Sequence, residues 1–172
     1  MLFLGPDRKI VVYPCQNNEL LNFACIHPDN ETAAPTDDWN AGGNKTKLLE
    51  VYAGFDSSAR ALLSKADPKS LKVWSLLDME KLPTWTNGKM ALLGDAAHPF
   101  LPHQGQGAGV AMEDAAALAV VLPLGTRPDE VPERLKLYEE CRYERAHRIQ
   151  EYTRVAGRDL AEPGNVDSRS RG

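Results

Sequence analysis

The feature that most constrains the fold is the stretch of residues 89–122, KMALLGDAAHPFLPHQGQGAGVAMEDAAALAVVL. Residues 90–93 form a short unbroken apolar run that ends at Gly94, which is typical of a strand covered on both faces in a parallel sheet. A second apolar run, residues 110–122, has the length of a helix, and a glycine-rich segment joins the two. The pattern predicts a strand, a tight turn, a glycine-rich loop without helix and then a helix.

Polar and glycine residues in this stretch have the character of a ligand site. Asp95 directly follows the predicted strand, at the edge where open α/β sheets bind their ligands, and its carboxylate offers only acceptors, which suits a pair of hydroxyl groups. Gly105, Gly107 and Gly109 let the backbone approach a flat or phosphorylated ligand, and the following helix N-terminus favours negative charge. A glycine-rich turn that merely packs tightly in another α/β protein is the alternative.

A longer match extends across the same residues. Gly94-Asp95-Ala96-Ala97-His98, followed by residues 102–109 and then Glu113-Asp114-Ala115, resembles the second flavin fingerprint of the single-component FAD-dependent aromatic monooxygenases. That family includes the salicylate hydroxylase and para-hydroxybenzoate hydroxylase group. The resemblance extends from Phe3 to about Ala156 in this chain and corresponds to the later half of the family's length.

The resemblance implies FAD as the cofactor and NAD(P)H as the electron donor of the complete enzyme. It implies that Asp95 bonds the ribityl chain, that the Pro102 region lies against the isoalloxazine, and that the amides around residues 105–109 face its pyrimidine end. The implied substrate is an aromatic or polyketide-like small molecule, and no catalytic side chain or metal ligand is assigned. The implied FAD-binding residues are Gly94, Asp95, Pro102, Gly105, Gln106, Gly107, Ala108 and Gly109.

The fold class expected from the whole chain is mixed α/β, with the C-terminal part of an FAD/NAD(P)-binding Rossmann-type domain and part of an antiparallel substrate-domain sheet. Two β-prone runs around an Asn-rich turn predict a hairpin, and Asp56 is expected to cap a helix. The predicted elements are strands 8–15, 19–27 and 71–77, helices 45–53 and 57–65, and a long helix from Pro132 with a solvated charged face. The predicted domains are residues 1–84, the partial substrate-domain sheet with its helix pair, residues 85–160, the FAD-binding part, and a disordered tail, residues 161–172.

Composition excludes several classes of protein. A net charge of -4 and a pI near 5.6 argue against binding to nucleic acid or to an anionic membrane surface. Three widely spaced cysteines without a CxxC pair, Cys15, Cys25 and Cys141, argue against a disulfide framework and favour a reducing compartment. With no signal peptide or membrane-spanning run in the sequence, we expect a cytoplasmic protein.

The sequence allows two alternative hypotheses, a truncated homologue or half-enzyme and a metal-dependent hydrolase. The sequence contains neither a GxGxxG fingerprint nor the family's middle Asp-Gly motif, so the chain could be a truncated, catalytically silent homologue or a half-enzyme that needs a partner chain. In that case a second chain or self-association is expected to cover exposed sheet edges. A metal-dependent hydrolase using His98 and His103 is disfavoured, because Pro99 and Pro102 rule out the helical spacing of two ligands.

Overall fold

The computed structural model describes residues 1–28, 31 and 42–158, which form two compact units, Met1–Leu76 and Leu77–Arg158. Groups of short antiparallel strands and pairs of helices follow one another along the described part of the chain, so the mixed α/β class is confirmed. The predicted tail, residues 161–172, lies outside the described residues. The three cysteines are free thiols. No helix in the described part of the chain combines the length and the apolar character needed to cross a membrane.

The first unit contains a three-stranded antiparallel sheet. Its strands are β1 (Leu2–Leu4), β2 (Lys9–Cys15) and β3 (Leu20–Ile26), in that spatial order. The predicted hairpin is confirmed, and its turn, residues 16–18, has φ angles between 47° and 70°. Asparagine tolerates this left-handed conformation better than most residues, which explains the Asn pair. Strand β1 was not predicted, because three residues are too few to show a periodicity.

Both predicted helices of the first unit are present. Helix α1 (Lys45–Val51) begins at Asn44, whose side chain accepts a hydrogen bond from the Lys47 amide at 3.1 Å. Helix α2 (Ser57–Leu63) begins at Asp56, which accepts from the amides of the next turn and confirms the predicted cap. The sheet and the two helices enclose one core, formed by Ile10, Val12, Val51, Tyr52, Ala59 and Leu63.

The predicted strand 71–77 is wrong. In the described part of the chain, Lys72 forms an isolated bridge with Gly42, and the Leu71 carbonyl accepts from the Gly43 amide at 2.9 Å. Leu71 and Val73 are half-buried beside Gly43, whereas Leu76 and Leu77 are 39% and 73% exposed. The bridge is not continued into a ladder within the described ranges, and strand propensity alone does not produce one.

The second unit contains a small hairpin and two long helices. Strand β4 (Thr86–Asn87) pairs with β5 (Met90–Ala91), and helix α3 (Gly107–Val121) packs against helix α4 (Val131–Arg158). Their shared core consists of Trp85, Ala97, Val110, Tyr138 and Ala146. The predicted long helix near Pro132 is therefore confirmed as α4.

Two predictions for this unit need correction. Residues 90–93 were expected to form a strand of a parallel sheet, but β5 has two residues and pairs in the antiparallel sense with β4 in the described part of the chain. Leu93 is 43% exposed and lies outside the strand. Helix α3 begins three residues earlier than the apolar run suggested, which places Gly107 and Gly109 in its first turn. Glycine destabilises the middle of a helix, and this cost is smaller in the first turn.

The polar side of α4 also differs from expectation. Its charged residues were predicted to form a solvated face, yet Arg142 is buried, together with the polar residues His147, Gln150 and Thr153. Cys141, next to Arg142 in the sequence, is exposed. Helical periodicity shows which residues share a face, but buried polar partners on another helix are needed to bring a charge into the core.

Candidate functional site

The predicted site begins at a 3-10 turn, Gly94–Ala96, just after β5. Gly94 has a φ of +57°, and its carbonyl accepts hydrogen bonds from the amides of Ala97 and His98, both at 2.9 Å. A residue with a Cβ would be strained at this φ. Asp95 lies at the outside of the turn, exposed, and its carboxylate has no hydrogen-bond partner among the described residues.

A second 3-10 turn, Pro102–Gln104, follows a few residues later. Gly105 closes it with a φ of +63°, and its amide donates to the Pro102 carbonyl at 3.3 Å. The expectation of a loop without helix between the strand and α3 therefore holds for α-helix, whereas 3-10 turns occupy both ends. Gln106 then caps α3 without a side-chain hydrogen bond, so the first amides of the helix keep their donors free.

These two turns and the start of α3 enclose an open concavity of about 430 Å³. Its lining consists of Asp95, Phe100, Leu101, Pro102, Gly105, Gln106, Gly107, Ala108 and Ala111. Asp95 is the one charged side chain in this lining, and the other contacts are apolar groups, backbone and the Gln106 amide. Most of the predicted FAD-binding residues thus share one surface. Gly94 is buried behind that surface, and Gly109 is exposed outside the lining.

A fully buried carboxylate on α3, Asp114, lies behind the turn. Its Oδ2 atom accepts from the Gly94 amide at 3.0 Å and lies 2.6 Å from His98 Nε2. Its Oδ1 atom accepts from Arg142 Nε on α4 at 2.8 Å. One side chain therefore joins the turn, α3 and α4.

The Arg142 guanidinium extends this contact into an ion cluster. It reaches Glu113 at 2.8 Å, and Glu113 also receives two hydrogen bonds from Arg145, at 2.7 and 2.8 Å. The hydrogen bonds from Arg145 and then from Arg142 lower the pKa of Glu113 to about 2, although burial acts in the opposite direction. The contacts of Arg142 and Arg145 therefore join α4 to α3.

Aromatic rings pack beneath the turn. Trp85 is 1% exposed, and its ring centroid lies 5.0 Å from that of His98, 6.1 Å from Tyr138 and 5.5 Å from His147. Burial is the main cause that lowers the pKa of His147, with smaller contributions from Lys81 and His98. The turn that carries Asp95 is thus supported by a packed core.

Three supporting residues, Asp114, His98 and Arg142, were not assigned to the site from the sequence. One signal was available, since Asp114 stands inside an apolar helical run, and a carboxylate on a buried face needs donors. His98, one of the two histidines of the metal-hydrolase alternative, is buried with its Nε2 atom 2.6 Å from Asp114, and no group of three His, Cys, Asp or Glu within the described ranges could hold a metal ion.

The sequence was compared with protein families and with known proteins. Residues 28–153 match the family described as FAD binding domain. The chain is 36% identical over 143 residues to a hispidin-3-hydroxylase of Neonothopanus nambi, covering 83% of this chain and 33% of that protein. It is 36% identical over 156 residues to a salicylate hydroxylase of Pseudomonas putida, covering 87% of this chain and 35% of that protein.

Solved structures give the same grouping. A salicylate hydroxylase substrate complex superposes with a TM-score of 0.78 at 30% identity, covering 97% of this chain and 42% of that chain. CtdE in complex with FAD and substrate 4 superposes with a TM-score of 0.78 at 26% identity, covering 93% of this chain and 39% of that chain. The chain spans roughly a third of the length of the curated relatives it matches. Its sequence and fold show that the chain belongs to the FAD-dependent monooxygenase family that includes salicylate hydroxylase.

Proposed function

We propose that this chain forms the ribityl- and isoalloxazine-binding side of the FAD site in an NAD(P)H-using monooxygenase that hydroxylates an aromatic or polyketide-like small molecule. The observation that carries the proposal is the position of Asp95. Its exposed carboxylate has no partner in the described part of the chain and lines the same concavity as the first turn of α3.

The chemistry of the lining fits a flavin. The Asp95 carboxylate offers two oxygens to the hydroxyl groups of a ribityl chain. The free amides of Gly107 and Ala108 point out of a helix N-terminus, which stabilises negative charge at the pyrimidine end of the ring. Phe100, Leu101 and Pro102 provide an apolar wall that excludes water. FAD, when bound, supplies the redox and oxygen-activating chemistry, and the protein supplies orientation and electrostatics.

The relatives support the substrate class and the cellular setting that we propose. Two of them are a salicylate hydroxylase and a hispidin-3-hydroxylase, which argues for an aromatic substrate here. The free thiols of Cys15, Cys25 and Cys141 fit a reducing cytoplasm. We assign no side chain of this chain an acid or base role, because no ionisable group other than Asp95 lines the concavity.

Titration of the isotope-labelled chain with FAD, followed by NMR, tests the assignment. We expect chemical-shift changes at the amides of Gly105, Gly107 and Ala108, and weaker FAD binding after Asp95→Ala. Loss of a charged acceptor costs about 1.5 to 3 kcal/mol, or roughly 10- to 150-fold in affinity. Asp129→Ala is the control, since Asp129 lies in an exposed loop and pairs with Arg127. Equal FAD affinity in both variants and wild type would contradict the assignment.

A second candidate is a truncated, catalytically silent homologue or a half-enzyme that needs a partner chain. Several large apolar side chains near the hairpin and on α3 are exposed: Met90 by 59%, Leu93 by 43%, Met112 by 73% and Val120 by 77%. A second chain or self-association would remove this area from water. Light scattering of the purified chain over a range of concentrations distinguishes a stable monomer, which disfavours this candidate, from association, which favours it.

A further inference from the structure

One carboxylate oxygen holds both ends of the turn that carries Asp95. Oδ2 of Asp114 lies 3.0 Å from the Gly94 amide nitrogen, before Asp95, and 2.6 Å from the Nε2 atom of His98, after it. The turn is closed internally by the two hydrogen bonds that the Gly94 carbonyl accepts, each 2.9 Å long. No hydrogen bond joins Asp95 to Asp114 among the described residues, so the influence of Asp114 on a ligand passes through the backbone of the turn.

The second oxygen of Asp114 explains how a carboxylate is tolerated in the core. Asp114 is 0% exposed, and its Oδ1 accepts from Arg142 Nε at 2.8 Å, while the side chain of Arg142 is 8% exposed. A buried carboxylate without a cation would be strongly unfavourable. Because an ionised carboxylate has no proton to donate, the proton between the two side chains belongs to His98 Nε2. Asp114 therefore also selects the ring tautomer of His98.

We propose that Asp114 is a positioning residue for flavin binding: held by Arg142, it fixes the Gly94–His98 turn and so the direction of the Asp95 carboxylate. This role rests on the proposed function, because it assumes that Asp95 binds ribityl hydroxyls. Within the described residues, the polar contacts of Asp114 are with Gly94, His98 and Arg142, none of which lines the concavity, and this separates its role from that of Asp95.

Asp114→Asn is the informative substitution. Asparagine keeps the shape of the side chain but has a single acceptor oxygen, so it cannot accept from both Arg142 and the turn. Either the Arg142 Nε–H or the Gly94 N–H then faces an amide donor. With riboflavin as the probe, since it contains the ring and the ribityl chain alone, we expect affinity to fall about tenfold.

Asp78→Asn is the matched control. Asp78 also accepts from an arginine of α4, since Arg154 Nε lies 2.6 Å from its Oδ2, but it has no contact with the Gly94–His98 turn. Urea unfolding of both variants reports the lost stability, and the NMR titration reports riboflavin affinity. The proposal requires that Asp114→Asn lose affinity and that Asp78→Asn retain the affinity of wild type.

Two readouts separate positioning from a general loss of stability. Adding Asp114→Asn to Asp95→Ala should reduce affinity little further, because Asp114 acts through Asp95 and the two effects are then not additive. Long-range nitrogen spectra of the His98 ring should show the Nε2–H tautomer in wild type and a changed tautomer ratio in Asp114→Asn. Additive effects of the two substitutions on affinity would overturn the proposal.

A second variant pair covers the case in which Asp114→Asn does not fold. Arg142→Lys keeps a positive charge beside Asp114 but loses the planar fork, and Arg154→Lys makes the same change at Asp78. We expect riboflavin affinity to fall in Arg142→Lys alone, and equal affinity in both would overturn the role of Asp114. If wild type itself bound no riboflavin, the proposed function would fail and this role with it. Binding by wild type with unchanged affinity in Asp114→Asn would overturn the positioning role alone.

Discussion

His147 on α4 lies edge-on against Tyr143, with the two ring centroids 4.1 Å apart, and the imidazole is 1% exposed. Burial lowers the pKa of His147 below its ordinary value of 6.5, and Lys81 and His98 add to this effect while Glu144 opposes it. The unfolded chain therefore binds a proton at this site more readily than the folded chain. Its contribution to stability is present above pH 6.5 and is lost as pH falls from there through the folded pKa.

We accordingly expect the urea midpoint of the chain to decrease between about pH 7.5 and about pH 5.5, and to decrease less in His147→Phe, which keeps a ring but cannot be protonated. Carboxylates with a lowered pKa, such as Glu113, stay ionised over this interval. His27→Gln is the control, because it changes a half-buried histidine of the first unit. The same pH dependence in wild type and His147→Phe would contradict this assignment.

Gly107→Val should weaken flavin binding without unfolding the chain. A Cβ at Gly107 would lie 3.8 Å from Phe100 and 3.9 Å from the Asp95 carboxylate, which are ordinary contacts, so the larger side chain projects into the concavity. Gly54→Val is the control, since a Cβ there meets nothing within 4 Å and Gly54 does not line the concavity. Riboflavin titration checks the prediction, and equal affinities in the two variants would show that the glycine serves packing of the loop alone.

Tyr138→Phe should destabilise the second unit. The Tyr138 hydroxyl donates to the Leu92 carbonyl at 3.0 Å, and the residue is fully buried. Removing the donor leaves that carbonyl without its partner, at a cost of about 0.5 to 1.5 kcal/mol in the free energy of unfolding. Tyr152→Phe is the matched control, because Tyr152 is 57% exposed. The measurement is urea unfolding, and a free energy of unfolding equal to that of wild type in both variants would refute the prediction.

The chain should bind riboflavin and FAD with similar, weak affinity, and ADP should not compete. No lysine or arginine lines the concavity, and the full negative charge of Asp95 outweighs the roughly half charge of the α3 N-terminus toward a pyrophosphate. Competition titrations measure this directly. Much tighter binding of FAD than of riboflavin would indicate an ADP subsite that the lining does not contain.

We also expect no NADPH oxidation by the chain in the presence of FAD, because a hydride donor reacts only with a correctly mounted flavin. The assay combines the purified chain, FAD, NADPH and a panel of phenolic acids. NADPH consumption that is stimulated by a phenolic acid and coupled to its hydroxylation would show that the chain acts as a complete enzyme.

Local chemistry in the sequence was sufficient for several elements. The Asn-rich turn of residues 16–18 predicts the first hairpin because asparagine tolerates positive φ, and Asp56 predicts the start of α2 because its side chain accepts from free helical amides. Gly94 and the glycines near α3 likewise predicted a tight turn between a strand and a helix. These features depend on neighbours a few residues away, so a single sequence contains them.

Tertiary structure decided what depends on distant partners. Residues 71–77 have strand propensity but contain a single bridge, at Lys72, in the described part of the chain, and Met90–Ala91 pairs in the antiparallel sense with β4. The sequence predicted a solvated charged face on α4, but in the structure Nε of Arg142 lies 2.8 Å from Oδ1 of Asp114 on α3. Strand pairing and the burial of a charge both require a partner from elsewhere in the chain, since an unpaired backbone group or ion in the core is too costly. The sequence therefore pointed to the Asp95 turn, whereas only the folded chain shows that Asp114 and His98 hold it in place.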